Sequence, residues 1–267
     1  MDLVYPPGLY CISCGKITDS SRTYGLCNDC MEAMNWITER RCEKCGRPLA
    51  DTDPGPLCFG CAATERSGQP YAFDRGYACA GYGAAEQALI FAFKYGSQSH
   101  IGDILGEILY DRMSAEQTLN YDMVVPVPIH KDKKKKRGFN QAELMAKSFS
   151  KRAGIKCESE LLIRSKETKA MKGLGPDERK ANIGGAFEIR ERKKESIRGA
   201  SILLIDDIFT TGATLDEIAR ILKTPSADKG GQTLSASSNQ FDKTPQTIGA
   251  SRVDFCVFAA AADYLLV

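Results

Sequence analysis

Eight of the eleven cysteines lie within the first 61 residues, and their spacing repeats. Two copies of the pattern Cys-x2-Cys-x12-Cys-x2-Cys are related by a shift of 31 residues, and Gly15 and Gly46 follow the second cysteine of each copy. A Cys-x2-Cys turn presents two thiolates to one ion, and a glycine lets the turn adopt a positive φ. The candidate ligands are Cys11, Cys14, Cys27, Cys30, Cys42, Cys45, Cys58 and Cys61. This spacing restricts the N-terminal segment to short turns organised around metal ions.

Zinc is the metal that this donor set favours, because four thiolates in a tetrahedral arrangement form a closed structural site. The alternatives are an iron–sulfur or rubredoxin-like iron site, or a set of reduced core cysteines. One or two ions fit these ligands, and the pairing is either sequential, with each copy holding one ion, or interleaved. We expect this segment to position other parts of the chain rather than to catalyse. Cys79, Cys157 and Cys256 lie on or near predicted strands, so we expect them to be core thiols.

Composition restricts the cellular setting and the number of domains. Clustered thiols are typical of a reducing compartment, and the chain shows neither a signal peptide nor an apolar run of the roughly 20 residues that cross a bilayer. We therefore expect a cytoplasmic protein without a membrane span. The formal net charge of +2 indicates that any site for a polyanion is local. The length predicts a zinc-binding module over residues 1–66 and a larger domain over residues 71–267.

Beyond the cysteines, strands alternate with helices, which predicts an α/β fold with a parallel sheet flanked by helices. The predicted strands are Tyr77–Tyr82, Met123–Ile129, Leu161–Ile163, Ile202–Ile205 and Val253–Ala259. The predicted helices span residues 28–39, 85–93, 101–113, 139–153 and 215–223, with Gly154 as a C-cap. A polar linker is expected over residues 62–70. Residues 224–247 are rich in Ser, Thr, Gly, Gln and Pro, and this composition predicts a flexible insertion.

The predicted strand Ile202–Ile205 runs directly into two acids, Asp206 and Asp207. Unpaired charge is costly to bury, and the carboxyl ends of strands are where α/β sheets place their ligands. A threonine-rich stretch follows and leads into a helix, whose N-terminus favours phosphate. It consists of Thr210, Thr211, Gly212, Ala213 and Thr214. Because carboxylates accept hydrogen bonds from sugar hydroxyls, the pattern predicts a ribose 5-phosphate site; the alternative is an ordinary helix cap.

Three stretches together resemble the ComF family, which is linked to DNA uptake during bacterial competence. They read VVPVPIHKDKKKKRGFNQAELMA, ERKANIGGAF and ILLIDDIFTTGAT, and the last also resembles the 5-phosphoribosyl 1-diphosphate (PRPP) motif of type I phosphoribosyltransferases. A cysteine-rich N-terminus before such a domain is the ComF arrangement. The resemblance covers nearly the whole chain except residues 224–247. It implies a type I phosphoribosyltransferase-like parallel sheet that binds PRPP together with magnesium.

The resemblance also implies roles for individual residues. Asp206 and Asp207 would bind the ribose 2- and 3-hydroxyls, and the stretch 210–214 would hold the 5-phosphate. Arg137 and Gly138 would meet the diphosphate, so Arg137 and the two acids are the candidate catalytic residues.

Three further positions follow from the resemblance. Arg179 and Asn182 lie on a loop that in such enzymes often closes over the ligand. Lys94 matches a lysine of the family and is a candidate PRPP contact. Met171 stands where the family usually has a glutamine, which affects the expected recognition of the acceptor only.

Residues 131–137, KDKKKKR, carry six cations and one acid. Cations that neutralise phosphates release counterions, so such a run supports salt-dependent binding to nucleic acid. The candidates are Lys133, Lys134, Lys135 and Lys136. The alternative is a solvated loop beside the diphosphate. No aromatic stacking platform is evident in the sequence, which argues against sequence-specific recognition.

Several functions remain open at this level. The first is an enzyme, a glycosyltransferase that moves the phosphoribosyl group of PRPP to a nitrogen acceptor with release of diphosphate and that assists DNA uptake. The second is a non-catalytic single-stranded DNA-binding factor of natural transformation that retains PRPP binding, with other competence proteins such as a helicase as partners. A PRPP-sensing regulator is the third.

Overall fold

The computed structural model describes residues 9–18, 23–38, 40–96, 98–165, 184–224 and 249–262. In chain order, its strands are β1 (Gly76–Gly81), β2 (Met123–Pro126), β3 (Leu162–Arg164), β4 (Phe187–Ile189), β5 (Ser201–Phe209) and β6 (Arg252–Ala260). Four of them form a parallel sheet in the order β1-β6-β5-β2, and β3 and β4 form a separate antiparallel pair. The predicted parallel α/β sheet is confirmed.

The helices follow the strands as the alternating pattern predicted. They are α1 (Asn28–Ala33), α2 (Phe59–Arg66), α3 (Ala84–Tyr95), α4 (Ile101–Ala115), α5 (Lys131–Arg137), α6 (Gln141–Ala153) and α7 (Ala213–Lys223). Short 3-10 turns occur at Thr23–Gly25 and Glu191–Ile197. Gly154 ends α6 with φ +69°, as expected for a C-cap. No helix in the described ranges combines the length and the apolar character needed to cross a membrane.

Strand β5 is apolar without interruption over Ile202–Ile205 because both faces of the sheet are covered there. Ile202 and Leu204 pack in one core, together with the buried side of α7 and the β3–β4 pair. Leu203 and Ile205 pack in a second core with α3, α4 and α6. Successive strand residues point to opposite faces, so a continuous apolar run is what a doubly covered strand requires.

The N-terminal module is joined to the sheet along β1. Asn35 O accepts a hydrogen bond from Gly81 N–H at 2.8 Å, and Ile37 N–H donates to Cys79 O at 2.9 Å. Trp36 forms an antiparallel bridge with Ala80 between these two bonds. The segment after α1 therefore covers the free edge of β1, which explains why the helix predicted over residues 28–39 ends at Ala33: the following residues must be extended to pair.

Three other sequence predictions are wrong in detail. The strand predicted over residues 123–129 ends at Pro126: Val127 N–H still donates to Ile205 O, but Val127 O accepts a hydrogen bond from the side chain of Asn140. The strand predicted at 161–163 belongs to the antiparallel pair rather than to the parallel sheet. Residues 62–66 of the predicted linker continue helix α2, which begins at Phe59.

Two predicted features lie outside the described residues. One is the insertion over 224–247, of which only Thr224 is described, and the other is the segment 166–183 with Arg179, Asn182 and Met171.

Candidate functional site

The two acids lie inside strand β5. The sequence had predicted that this strand ends at Ile205, but it extends to Phe209. The ladder continues past Ile205, with Asp206 paired to Val257 and Ile208 paired to Ala259 of β6. Successive side chains leave a strand on opposite faces, and the two acids accordingly have different neighbours. Asp207 pairs directly with Lys94 of α3, whereas Lys94 and, to a smaller extent, Arg164 of β3 act on Asp206 through their charges.

Lys94 is the charge partner of Asp207, a role that the sequence had not revealed. Its Nζ lies 2.6 Å from Asp207 Oδ2, and the two side chains are only 21% and 11% exposed. Burial opposes protonation of Lys94, but the charge and hydrogen bond of Asp207 outweigh it, so the pKa of Lys94 is raised above 10.5. Lys94 therefore stays protonated at neutral pH, and its charge offsets the cost of burying Asp207.

Asp206 is the more weakly compensated of the two acids. Burial, and then the charge of Asp207, raise the pKa of Asp206 to about 7, against the smaller opposing effects of the Asp207 N–H, Lys94 and Arg164. The Asp207 N–H donates to Asp206 Oδ1 at 2.9 Å. Asp206 therefore titrates near neutral pH, where it can either accept a hydrogen bond or donate one to a sugar hydroxyl.

The threonine-rich stretch 210–214 turns from β5 into α7. Gly212 has φ +79° and is the N-cap of α7, so glycine is required there by the backbone. Thr210 O accepts a hydrogen bond from Arg47 Nη2 at 2.7 Å, and Thr211 O accepts one from Tyr71 Oη at 2.8 Å. These two hydrogen bonds fix the carbonyls of the stretch. The first N–H groups of α7 have no partner within the helix and lie at its N-terminus, which is the positive end of the helix dipole. The phosphate-binding role of this stretch stays a prediction.

The lysine-rich segment forms helix α5 and is not the loop that the sequence predicted. Lysine and arginine are good helix formers, Asp132 lies in the first turn, and the cations of the last turn favour the negative end of the dipole. His130 Nδ1 accepts from the Asp132 N–H at 3.4 Å at the start, and Gly138 ends the helix with φ +86°. The charged run over residues 131–137 therefore forms a helix, whose side chains point to different sides.

The two sides of α5 separate the four candidate lysines. A cavity of about 370 Å³ lies on one side and is lined by Lys94, Tyr95, Lys133, Lys136 and Arg137. Lys134 Nζ instead lies 3.0 Å from Glu143 Oε2, and Lys135 is exposed. The structure thus brings Lys133, Lys136 and Arg137 together with the Lys94–Asp207 pair, and it directs Lys134 elsewhere.

Arg137 is held in the basic cavity by two contacts that the sequence analysis missed. Its Nη1 donates to Gln141 Oε1 at 3.0 Å, and its guanidinium lies 5.4 Å from the centre of the Tyr95 ring. Gln141 is buried, and its Nε2 has no hydrogen-bond partner among the described residues. Gln141 is the last residue of the RGFNQ stretch, and its position four residues after Arg137 was the sequence signal for this contact.

Tyr95, which lines the same cavity, forms an exposed aromatic pair with Phe91 on α3. Phe91 and Tyr95 are 63% and 60% exposed, and their ring centres lie 4.8 Å apart at an angle of 44°. Their i, i+4 spacing on α3 places them on one side of the helix, and this spacing could have been recognised in the sequence.

The eight N-terminal cysteines form two groups, and their pairing is sequential. In each group the four Sγ atoms lie within 4.8 Å of one another. The groups are Cys11, Cys14, Cys27 and Cys30, and Cys42, Cys45, Cys58 and Cys61. The first is partly exposed, whereas all four residues of the second are buried. Four converging thiols without a position for a substrate fit structural zinc. Of the remaining cysteines, Cys79 and Cys256 are buried as expected, and Cys157 is half-buried.

Comparison with known families agrees with both parts of the chain. Residues 1–64 match the family described as double zinc ribbon domain, so the chain has two four-cysteine zinc sites. Residues 99–229 match the family described as phosphoribosyl transferase domain.

Several curated proteins are similar to most of the chain. Competence protein F of Haemophilus influenzae is 29% identical over 203 residues, which cover 74% of this chain and 84% of that protein. DNA utilization protein YhgH of Escherichia coli K12 is 28% identical with the same coverage. Competence protein ComFC of Bacillus subtilis is 26% identical over 201 residues, or 74% of this chain and 77% of that protein.

Proposed function

The chain belongs to the ComF family, and we propose that it binds PRPP where the two acids, the stretch 210–214 and the basic cavity meet. The observation that carries this proposal is the 2.6 Å contact between Lys94 and Asp207. Lys94 lines the basic cavity and Asp207 belongs to the acid pair, and this proximity of cations and carboxylates supports a single site for a sugar phosphate.

PRPP offers a chemical partner to each part of the site. The carboxylates of Asp206 and Asp207 would accept hydrogen bonds from the ribose hydroxyls. The N-terminus of α7 would hold the 5-phosphate. Lys133, Lys136 and Arg137 would contact the diphosphate, and Arg137 suits this role because a guanidinium binds phosphate oxygens in a bidentate manner.

The same arrangement supports phosphoribosyl transfer. The bond between ribose C1 and the diphosphate oxygen breaks, its electron pair leaves with the diphosphate, and a nitrogen acceptor forms the new bond to C1 and gives up a proton. Arg137 and the two lysines would stabilise the charge that develops on the leaving group. Magnesium, when bound with PRPP, would supply further neutralisation of the diphosphate.

Calorimetric titration with PRPP and magnesium tests the binding proposal. We expect wild-type protein to bind and Asp207→Asn to lose at least about tenfold in affinity, because the amide cannot replace the charged acceptor. Glu195→Gln is the matched control: it makes the same chemical change at an exposed residue before the start of β5. Absence of binding to folded wild-type protein would refute the proposal.

Turnover is a separate question, which a screen for diphosphate release from PRPP with candidate amines and bases answers. Release that depends on an acceptor and is lost in Arg137→Gln identifies a phosphoribosyltransferase. Intact PRPP binding without release for any acceptor contradicts the enzyme and favours a PRPP-sensing role.

A second candidate function is binding of single-stranded DNA, and the Phe91–Tyr95 pair favours it. Nucleic-acid bases stack on exposed aromatic rings, while nearby cations neutralise the backbone phosphates. Lys133 and Lys136 line the same cavity as Tyr95. Such a protein would assist DNA uptake in the cytoplasm, where zinc-binding thiolates stay reduced, alongside other competence proteins such as a helicase.

Fluorescence anisotropy of a labelled oligo(dT) at several salt concentrations tests this candidate. Lys133→Ala/Lys136→Ala should flatten the plot of log affinity against log salt by about 1.4, since each phosphate contact with a single strand contributes about 0.7. Lys134→Ala/Lys135→Ala removes the same charge from the other side of α5 and should change the slope less. Equal slopes in the two variants, or no binding at low salt, would exclude a DNA site at this cavity.

A further inference from the structure

Arg47 belongs to the metal-binding turn of the second four-cysteine site. Its backbone O accepts a hydrogen bond from the Cys42 N–H at 2.8 Å, and Gly46 N–H donates to Cys42 O, also at 2.8 Å. Gly46 has φ +74°, and a Cβ there would lie 2.5 Å from Gly76 O at the start of β1. The backbone of Arg47 is therefore fixed both by the turn that presents Cys42 and Cys45 and by the close packing of this turn on the sheet.

The side chain of Arg47 extends from this turn to the candidate phosphate-binding stretch. Its Nη2 donates to Thr210 O at 2.7 Å, and its guanidinium lies 5.0 Å from the centre of the Phe209 ring. Arg47 is only 2% exposed. A buried arginine thus connects a zinc-binding turn directly to a backbone carbonyl of the stretch 210–214, across 163 positions of sequence.

Tyr71, which follows the second zinc site in the chain, holds the next residue of the stretch. Its hydroxyl donates to Thr211 O at 2.8 Å, and its ring stacks on Phe73 with centres 4.8 Å apart. A Cβ at Gly212 would lie 3.0 Å from the Phe209 ring and 3.2 Å from Tyr71. The stretch therefore fits tightly against the aromatic rings and has two of its carbonyls tied to Arg47 and Tyr71.

The first four-cysteine site lies on the other side of the sheet. Cys11 packs in the core that contains α3, α4 and α6, whereas the four cysteines of the second site pack in the core that contains α7. Near the first site, Tyr24 Oη donates to Asp111 Oδ2 of α4 at 2.7 Å. The two sites therefore support different parts of the molecule.

We propose that Arg47 is a positioning residue for the stretch 210–214, and that the second zinc site, but not the first, keeps this stretch ordered for its phosphate ligand. This inference rests on the proposed PRPP site for its functional consequence. Thiolate coordination fixes the turn that anchors Arg47, and Arg47 fixes Thr210. When the zinc site or the Arg47 side chain is lost, the stretch must become ordered during binding, and the entropy cost of this ordering weakens the affinity.

The test compares Arg47→Met with Arg40→Met in the zinc-loaded full chain. Arg40 belongs to the same ribbon, but its side chain is 53% exposed and pairs with Asp51. We expect Arg47→Met to retain two zinc ions, to exchange the amides of residues 209–214 about tenfold faster without ligand, and to bind PRPP about tenfold more weakly. Arg40→Met should match wild type in all three measurements.

Three further variants keep the test decisive if Arg47→Met does not fold. Tyr71→Phe removes only the hydroxyl that donates to Thr211 O and should accelerate exchange of the same amides by a smaller factor. Cys14→Ser and Cys58→Ser each remove one zinc site, and only Cys58→Ser should loosen residues 209–214.

Unchanged exchange in folded Arg47→Met or, where that variant does not fold, in Tyr71→Phe overturns the inference, as does equal loosening by the two cysteine variants. Because exchange is measured without ligand, failure of wild-type protein to bind PRPP would contradict the proposed function and leave the exchange result as a separate answer.

Discussion

Lys94 Nζ lies 2.6 Å from Asp207 Oδ2, and this contact links the end of helix α3 to strand β5. It explains how a strand that is apolar over Ile202–Ile205 can continue into a buried acid, because the acid is paired. It also places a lysine of the basic cavity next to the acid pair.

Replacing Lys94 by methionine should strongly destabilise the protein. The change keeps the length and apolar stem but leaves Asp207 buried without its partner, which costs about 3 kcal/mol. Urea unfolding monitored by circular dichroism measures the loss. Lys134→Met is the control, because the Lys134–Glu143 pair is 54% exposed on the lysine side and should be worth less than about 1 kcal/mol. Similar losses of unfolding free energy in the two variants would show that burial gives the Lys94–Asp207 pair no greater effect on stability than an exposed pair has.

The pKa of Asp206 predicts how stability depends on pH. Burial raises the pKa to about 7 in the folded protein, above about 3.9 in the unfolded chain. Between these values the folded state binds more protons, so the contribution of Asp206 to stability is present at low pH and is lost as pH rises to about 7.

Asp206→Asn should therefore gain stability relative to wild type as pH rises from about 4 to 7, by up to about 1.4 kcal/mol per pH unit, and should gain no more above that. Denaturation at a series of pH values measures the difference. Glu195→Gln should differ from wild type by a constant amount across the range. A constant difference for Asp206→Asn would show that its pKa is not raised.

The two zinc sites should release their metal at different rates. Cys14 is exposed, whereas all cysteines of the second site are buried. Titration with an organomercurial and a zinc-sensitive dye should therefore give two phases of one equivalent each, with the first site in the fast phase. Cys14→Ser should lose the fast phase and keep the slow one, because Cys14 is a ligand of the first, partly exposed site. A single phase of two equivalents would contradict this assignment.

Gly212→Ala should cost more stability than Gly154→Ala, although both glycines have a left-handed backbone with φ +79° and +69°. Strain alone costs about 1–2 kcal/mol at either position. At Gly154 the new methyl group meets nothing within 4 Å, but at Gly212 it meets the rings of Phe209 and Tyr71 at 3.0 and 3.2 Å. Crowding should add at least about 1 kcal/mol. Chemical denaturation compares the two; equal losses would mean that the aromatic rings move aside.

The sequence by itself determined the features that depend on neighbouring residues. The Cys-x2-Cys spacing identified the eight zinc ligands, because two thiolates of one short turn reach the same ion. The helical face of Leu215, Ile218, Ala219 and Leu222 is buried as its spacing predicted. The strand before Gly212 and the helix after it were also predicted, since each is a short-range property of the chain.

Only the tertiary structure decided which distant groups meet. Lys94 and Asp207 are 113 positions apart, and Arg47 and Thr210 are 163 apart. It also decided the sequential pairing of the cysteines, the burial difference between the two zinc sites, and which lysines of α5 line the cavity. Such contacts leave no periodic signal in the sequence, because any of many lysines and arginines could satisfy a buried acid or a carbonyl. The choice is made by the packing of α3 and of the second zinc ribbon against β5, which brings one particular side chain within hydrogen-bonding distance.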